Sequence, residues 1–89
     1  MALISFTPQL RRFVDTPEVR TEATVLRAAL DEVFATHPRL RGYVLDDQGH
    51  LRANVVVYID GRRSHDRTAL AEPLAPHSRV YVLQALSGG

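Results

Sequence analysis

The chain ends in Ser87-Gly88-Gly89, and these residues indicate chemistry more directly than any other part of the sequence. At an average glycine frequency of about 7%, a chain ends in two glycines by chance roughly once in 200. Two glycines that directly follow a predicted strand give a narrow tip whose carboxylate can enter a tight channel. This pattern predicts a terminus whose own carboxyl group reacts. The alternative is a frayed end, since chain termini are commonly disordered.

The other chemistry-bearing side chains predict neither a catalytic site nor a metal site. The triplet Ser64-His65-Asp66 contains the residue types of a hydrolytic triad, but sequence neighbours cannot align nucleophile, base and orienting group. The four histidines stand at least a dozen residues apart, without the short spacing of metal ligands. The basic residues between positions 62 and 67 are typical of a solvated hairpin end, with an anion site as the alternative.

Composition restricts the class of protein further. The 89 residues are 45% hydrophobic and 24% charged, as in one small globular domain. A net charge of +1 argues against a general nucleic-acid-binding surface. The absence of cysteine excludes disulfides, a thiol nucleophile and thiolate metal ligands. All basic residues are arginine, so no side-chain amine is available for an isopeptide bond.

Neither a linker nor a long apolar run interrupts the sequence. We therefore expect a single domain over residues 1–86 and a flexible tail at residues 87–89. No apolar run reaches the roughly 18–20 residues of a membrane span, and the first residues lack the basic region of a signal peptide. These features predict a cytoplasmic protein without a membrane partner.

The first half of the chain predicts a β-hairpin followed by one helix. Residues 2–7 and 18–22 are β-rich and predict two strands, the first with Ile4 and Phe6 on one face. Thr24 is predicted as the helix N-cap, and Pro38 requires the helix to end by residue 37. Arg27 is expected on the polar side of that helix. The apolar stripe that faces the core is Leu26, Ala29, Leu30, Val33 and Phe34.

The second half predicts further strands separated by turns. Residues 40–45 are mixed in character, and residues 46–49 predict a turn. Residues 54–59 predict a strand that ends at the favoured hairpin turn Asp60-Gly61. Residues 62–67 predict an outgoing arm and a loop, and residues 70–74 predict a turn of helix. A turn at residues 76–78 and a final strand over residues 79–86 follow.

The resulting order is β-β-α-β-β-β, which places the domain in the α+β class. If the last strand lies beside the first, both are buried centrally in a mixed sheet with the main helix packed on one face. That arrangement is the β-grasp.

Alternation along the final strand separates a core face from a candidate docking face. Val80 and Val82 are predicted to join the core, which places Tyr81 and Leu83 on the outer face of the sheet. Leu86 would follow on the tail. An exposed apolar patch beside a reactive tip is a plausible site for a partner protein. The alternative is that these side chains pack under a loop.

Four segments of the chain, taken in order, resemble a known family. They are ALISFTPQLRRF, TVLRAALDEVFATHPRLR, LDDQGHLRANVVVYIDGR and AEPLAPHSRVYVLQALSGG, the last ending in the two glycines. Their order resembles the MoaD/ThiS family, the ubiquitin-like sulfur carriers of prokaryotes. Many members carry asparagine at the position of Val56 and Asn-Gly at the position of Asp60-Gly61, and a proline just before the final glycines. These departures leave the subfamily open.

The resemblance implies a function for the tail. A ubiquitin-activating-like adenylyltransferase would use ATP to adenylate the Gly89 carboxylate, with Ser87 and Gly88 inside the channel of that partner. Sulfur would then replace AMP and leave a thiocarboxylate, which a sulfur-accepting synthase consumes. Tyr81, Leu83 and Leu86 would form the docking site. The chain would be a protein co-substrate that is not an enzyme and binds no cofactor or metal of its own.

Two other functions remain open at this stage. One is a ubiquitin-like modifier that is conjugated to other proteins through Gly89, and the other is a non-covalent β-grasp interaction module. Within the carrier hypothesis, molybdopterin, thiamine and cysteine biosynthesis and tRNA thiolation also remain open.

Overall fold

The computed structural model describes residues 1–6 and 18–84, so the predicted tail and residues 85–86 lie outside the described residues. Both predicted strands of the first hairpin, the main helix and the three later strands are present in the predicted order, and a second helix follows the first. In chain order the elements are β1 (Ala2–Phe6), β2 (Val19–Thr21), α1 (Leu26–Thr36), α2 (Pro38–Val44), β3 (Val55–Ile59), β4 (Arg62–Arg63) and β5 (Arg79–Gln84).

The five strands form one mixed sheet in the order β2-β1-β5-β3-β4. Strand β5 runs parallel to β1 and antiparallel to β3, while β1 and β2 form the predicted antiparallel hairpin. The prediction that the last strand lies beside the first is therefore confirmed. The sheet order and the helix packed on one face are those of the predicted α+β β-grasp fold.

The core lies between α1 and one face of the sheet, called here the inner face. Every apolar position predicted for the α1 stripe is buried, because residues at i, i+3, i+4, i+7 and i+8 share one side of a helix. The inner face contributes alternate residues of the strands, also all buried. The strand residues are Ala2, Ile4, Phe6, Val55, Val57, Ile59, Val80 and Val82.

The start of α1 differs from the prediction that Thr24 is its N-cap. Val25 holds the N-cap position, and no side chain caps the helix. The first free N–H groups of the helix are satisfied by a distant segment instead: Leu26 donates to the carbonyl of Glu72 at 2.9 Å, and Arg27 donates to that of Leu70 at 2.8 Å. Backbone carbonyls that satisfy these donors leave the Thr24 hydroxyl without a capping role.

The segment Leu70–Leu74 is not the predicted turn of helix. It runs alongside the start of α1, with a bridge between Val25 and Pro73 and a 2.8 Å hydrogen bond from the N–H of Leu74 to the carbonyl of Thr24. Leu70 has a φ of +54°, which is costly for a residue with a branched side chain. Its side chain is fully buried, and this burial offsets the backbone strain.

The sequence also underestimates the helical content after Pro38. Helix α1 ends at Thr36 as predicted, but Pro38 then occupies the first turn of α2. Proline is well suited to that position, because it has no N–H to leave unpaired and its φ is already helical. Helix α2 buries Leu40 and Val44. Within the described ranges, neither helix is long and apolar enough to cross a membrane.

The turn Asp60-Gly61 both closes the β3–β4 hairpin and fixes the start of β5. Both residues have positive φ, +52° and +81°, as a tight hairpin turn requires. The Asp60 carboxylate accepts hydrogen bonds from the backbone N–H of Arg79 and from the hydroxyl of Ser78, each at 2.9 Å. These bonds hold the pKa of Asp60 below the usual value of an aspartate.

Candidate functional site

Strand β5 presents the residues that the sequence singles out for docking. Val80 and Val82 are fully buried in the core, as predicted. Tyr81 points the other way and is 42% exposed, and Leu83 is half-buried. Tyr81 and Met1 are the exposed large hydrophobic residues within the described part of the chain. The expected placement of Tyr81 and Leu83 on the outer face, opposite α1, therefore agrees with the structure.

The strand register aligns further residues with Tyr81. Tyr81 pairs with Ser5 of β1 on one side and with Tyr58 of β3 on the other. Tyr58 in turn pairs with Arg63 of β4. Residues directly opposite each other on neighbouring strands share a face and have Cβ atoms about 4.5–5.5 Å apart. Four strands therefore place Ser5, Tyr81, Tyr58 and Arg63 in one row across the outer face.

Two more rows flank this central row. On the side toward the end of β5, Leu83 pairs with Val56. On the other side, Leu3 pairs with Arg79 of β5 and with Arg20 of β2. The apolar part of the outer face thus extends over three strands, from β1 to β3. We call it the outer patch and define it as Leu3, Val56, Tyr58, Tyr81 and Leu83.

Three members of the outer patch were not singled out from the sequence. Val56 and Tyr58 belong to a strand whose alternation was visible, since Val55, Val57 and Ile59 were assigned to the core. That alternation alone places Val56 and Tyr58 on the opposite face. The positions of Val56 beside Leu83 and of Tyr58 beside Tyr81 depend on the β3–β5 register, which no local pattern specifies.

The outer patch lies on the strand that leads into the terminal segment. Strand β5 ends at Gln84, which pairs with Val55. Five residues follow Gln84, and the predicted site residues Leu86, Ser87, Gly88 and Gly89 are among them, outside the described residues. Five extended residues span at most about 18 Å. Gly89 is thus tethered within this distance of the end of β5.

The other candidate side chains have structural partners. The Ser64 hydroxyl donates to a carboxylate oxygen of Glu72 at 2.8 Å. The Asp66 carboxylate accepts hydrogen bonds from the backbone N–H groups of residues 68, 69 and 71, and that of Ala71 contributes most to lowering its pKa. Ser64 and Asp66 therefore stabilise loops, in agreement with the loop interpretation of this triplet. Within residues 1–6 and 18–84, no cluster of histidine or acidic residues could hold a metal ion.

Two arginines also have structural roles. Arg67 donates to the carbonyls of Arg52 and Val55 at 2.6 and 2.7 Å. It therefore stabilises the start of β3 and is not part of a solvated hairpin end. Arg27 was expected on the polar side of α1, but its guanidinium reaches the carbonyls of Gly49, Thr68 and Ala69. It ties α1 to two loops.

Comparison with solved structures supports the fold. The chain is similar to small archaeal modifier protein 1 (SAMP1) from Haloferax volcanii, with 24% identity over 99% of this chain and 98% of the other, and a TM-score of 0.77. It is similar to a chain of the BexX/CysO complex from Amycolatopsis orientalis, with 17% identity over the full length of both and a TM-score of 0.79. It is also similar to small archaeal modifier protein 1 from Methanosarcina acetivorans, with 19% identity over 99% and 95% of the two chains and a TM-score of 0.77.

At these identities the likeness shows the fold. No family model matches the sequence, and no curated protein matches it. The β-grasp fold is shared along the whole length of proteins that differ from this one at more than three positions in four. Function must therefore be argued from the chain's own residues.

Proposed function

We propose that this chain is a sulfur carrier, a protein co-substrate whose Gly89 carboxylate is adenylated by a ubiquitin-activating-like enzyme and converted to a thiocarboxylate. The observation that carries the proposal is the course of β5. This central strand bears the exposed Tyr81 and leads, within five residues of its end, to Gly88 and Gly89. A rigid strand followed by a tip without side chains suits a terminus that must enter another protein.

The chemistry requires activation, because a carboxylate is a poor electrophile. An oxygen of the Gly89 carboxylate attacks the α-phosphorus of ATP, and pyrophosphate leaves. A persulfide sulfur of a donor protein then attacks the acyl carbon, and AMP leaves. A thiol reduces the resulting acyl disulfide, which releases the thiocarboxylate and leaves the donor as a disulfide. A thioacid is ionised at neutral pH, so the product is a nucleophile ready for a sulfur-accepting synthase.

The outer patch supplies the recognition that this chemistry needs. A partner that binds Tyr81 and Leu83 must hold its ATP site within the reach of the terminal segment, about 18 Å from the end of β5. Under this proposal Leu86 extends the docking surface along the tail, and Ser87 and Gly88 occupy the channel of the partner. The activating enzyme and the synthase would bind the same face in turn, since both need the same terminus.

The names of two neighbours favour a second candidate. Both are called small archaeal modifier proteins, and a modifier would attach to other proteins through the Gly89 carboxylate. The lack of lysine bears on this alternative, because conjugates could not be extended through a side-chain amine of this chain. Activation by adenylation is common to both candidates, and they differ in the nucleophile that displaces AMP.

The intact mass of the protein tests the proposal. We expect the chain, purified after co-expression with the activating enzyme and sulfur donor of its own organism, to gain the mass of one oxygen replaced by sulfur. Omission of the activating enzyme should abolish the change. The variant Gly89→Phe should also abolish it while leaving the melting temperature nearly unchanged, because a bulky side chain blocks the channel without touching the core.

Other outcomes would contradict the proposal in distinct ways. An unchanged mass with a proven cognate enzyme would exclude the sulfur carrier. Slower-migrating protein conjugates that disappear in the Gly89→Phe variant would favour the modifier. A large loss of stability in that variant would assign the tail a structural role.

A further inference from the structure

Three exposed arginines border the outer patch. Arg63 lies opposite Tyr58 at the β4 edge of the central row. Arg79 precedes Tyr81 by two residues on the same face of β5, about 7 Å along the strand. Arg20 is aligned with Arg79 through Leu3, which pairs with both. Tyr58 and Tyr81 are therefore flanked by positively charged arginines on two sides.

These guanidinium groups have no hydrogen-bond or ion-pair partner in the described part of the chain. No hydrogen bond or ion pair joins Arg20, Arg63 or Arg79 to another described side chain. The carboxylates of Glu18 and Asp60 have other partners: Glu18 accepts a hydrogen bond from Ser5 at 3.3 Å, and Asp60 accepts from the backbone of Arg79 and from Ser78. By contrast, Arg27, Arg52 and Arg67 donate to backbone carbonyls.

We infer that the outer face binds an acidic protein surface, in which an apolar pocket receives Tyr81 and carboxylates pair with Arg63 and Arg79. This inference rests on the proposed function, since the partner is the activating enzyme. Tyrosine and arginine are the residue types that contribute most at protein interfaces, and a guanidinium binds a carboxylate through two parallel hydrogen bonds. Arg20 lies farther from Tyr81 and adds to the long-range electrostatic attraction of the acidic surface.

The structure disfavours two other occupants. A second copy of the chain that bound through the same face about a two-fold axis would bring the same excess of arginines to both sides of the interface, which is repulsive. A nucleic acid would meet a chain with ten acidic residues and a net charge of only +1. An acidic protein surface satisfies both the apolar patch and its arginine border.

Arg63 and Arg79 should affect mainly the association rate constant, and Tyr81 should affect mainly the dissociation rate constant. We expect the double variant Arg63→Glu and Arg79→Glu to bind the activating enzyme of the same organism roughly tenfold more slowly at low salt, because steering charges act mainly on association. The deficit should shrink at about 500 mM NaCl, where exposed charges are screened. Tyr81→Ala should instead raise the dissociation rate roughly 30-fold, as loss of a buried anchor does, and Tyr81→Phe should largely retain binding.

The matched control is Arg39→Glu. Arg39 is an exposed arginine of α2, which packs against α1 and not on the outer face. Its reversal changes the net charge by the same amount as each single reversal on the outer face. If Arg39→Glu slows association as much as Arg63→Glu or Arg79→Glu, only net charge matters and the inference is overturned. Circular dichroism of each variant confirms that it is folded.

The failure of this inference can be told from the failure of the proposed function. If wild-type protein acquires the thiocarboxylate but the double variant is activated with an unchanged KM, the function stands and the acidic contact is wrong. If wild-type protein is neither bound nor activated, both are wrong. Binding of a single-stranded oligonucleotide that is lost with Arg63 and Arg79 would assign the face to nucleic acid and overturn the inference.

Discussion

The inner and outer faces of the sheet are built from alternate residues of the same strands, and they differ in what covers them. On β1, Ile4 is fully buried under α1 while its neighbour Leu3 is half-buried on the opposite side. On β5, fully buried Val82 follows exposed Tyr81. Residues that stabilise the fold and residues available for recognition are thus one position apart. A single substitution can change one property with little effect on the other.

The arginines show the same division. The Arg27 guanidinium is directed toward the protein, where it reaches carbonyl oxygens of Gly49 and Thr68 at 2.7 Å. Arg63 is directed toward solvent beside Tyr58. One residue type therefore stabilises loops on the helix side of the molecule and is exposed to solvent on the outer face.

The largest effect should come from shortening a side chain on the inner face. Ile4→Ala removes buried methyl groups and leaves a cavity, so we expect the free energy of unfolding to fall by about 2–5 kcal/mol. Leu3→Ala, one residue earlier on the same strand, is the matched control and should cost under about 1 kcal/mol. Urea denaturation at neutral pH measures both. Equal losses would show that the outer face is also covered, and the contrast between the faces would fail.

A smaller effect is expected for Arg27→Ala. This variant leaves the carbonyls of Gly49, Thr68 and Ala69 without their shared donor, which should lower the free energy of unfolding by about 1–3 kcal/mol. Arg63→Ala removes the same functional group from the outer face and should change it by no more than about 0.5 kcal/mol. The two unfolding curves, measured side by side, test the division of the arginines. Equal midpoints would contradict it.

The smallest effect concerns loop carboxylates and pH. Hydrogen bonds from the backbone of His50, Arg79 and Ala71 hold the pKa values of Asp46, Asp60 and Asp66, respectively, below the ordinary aspartate value of 3.8. A depressed pKa stabilises the folded state above pH 3.8, and this contribution is lost as pH falls through the lowered value. We expect the melting temperature to be nearly constant from pH 7 to 5 and to decrease below about pH 4.

The variant Asp60→Asn checks the source of this decrease, since it should be less stable at pH 7 and less sensitive to acid. The difference in unfolding free energy between Ile4→Ala and Leu3→Ala should persist at pH 7 and at pH 4, because none of these aspartates lies on β1. A decrease that begins above pH 5 would indicate a group other than these carboxylates.

Local patterns predicted the parts of the fold that depend on periodicity. The α1 stripe and the alternation of β1, β3 and β5 assigned the core correctly, because burial on one side imposes a fixed spacing on apolar residues. Two predictions that failed, the Thr24 cap and the turn of helix at residues 70–74, involve partners distant in sequence. Thr24 was expected to cap α1, but the carbonyls that accept the first N–H groups belong to Leu70 and Glu72. No pattern around Thr24 reveals them.

The candidate site shows the same limit. Tyr81 and Leu83 were found because the final strand alternates and precedes the glycines. Arg79 could have been found in the same way, because it precedes Tyr81 by two residues on β5. Tyr58 and Arg63 became part of the site only through the pairing of the β3–β4 hairpin with β5. That register is a property of the assembled sheet, so residues of distant strands cannot be grouped from the sequence alone.

The position of β5 between β1 and β3 has a consequence for synthesis. This strand is translated after every other described element, yet it is the strand that joins β1 to β3 in the sheet. The nascent chain therefore cannot complete the sheet from its first hairpin, helices and β3–β4 arm until β5 leaves the ribosome. Proteolytic fragments and prematurely terminated products that lack β5 have no strand to join β1 to β3, so they cannot form this sheet.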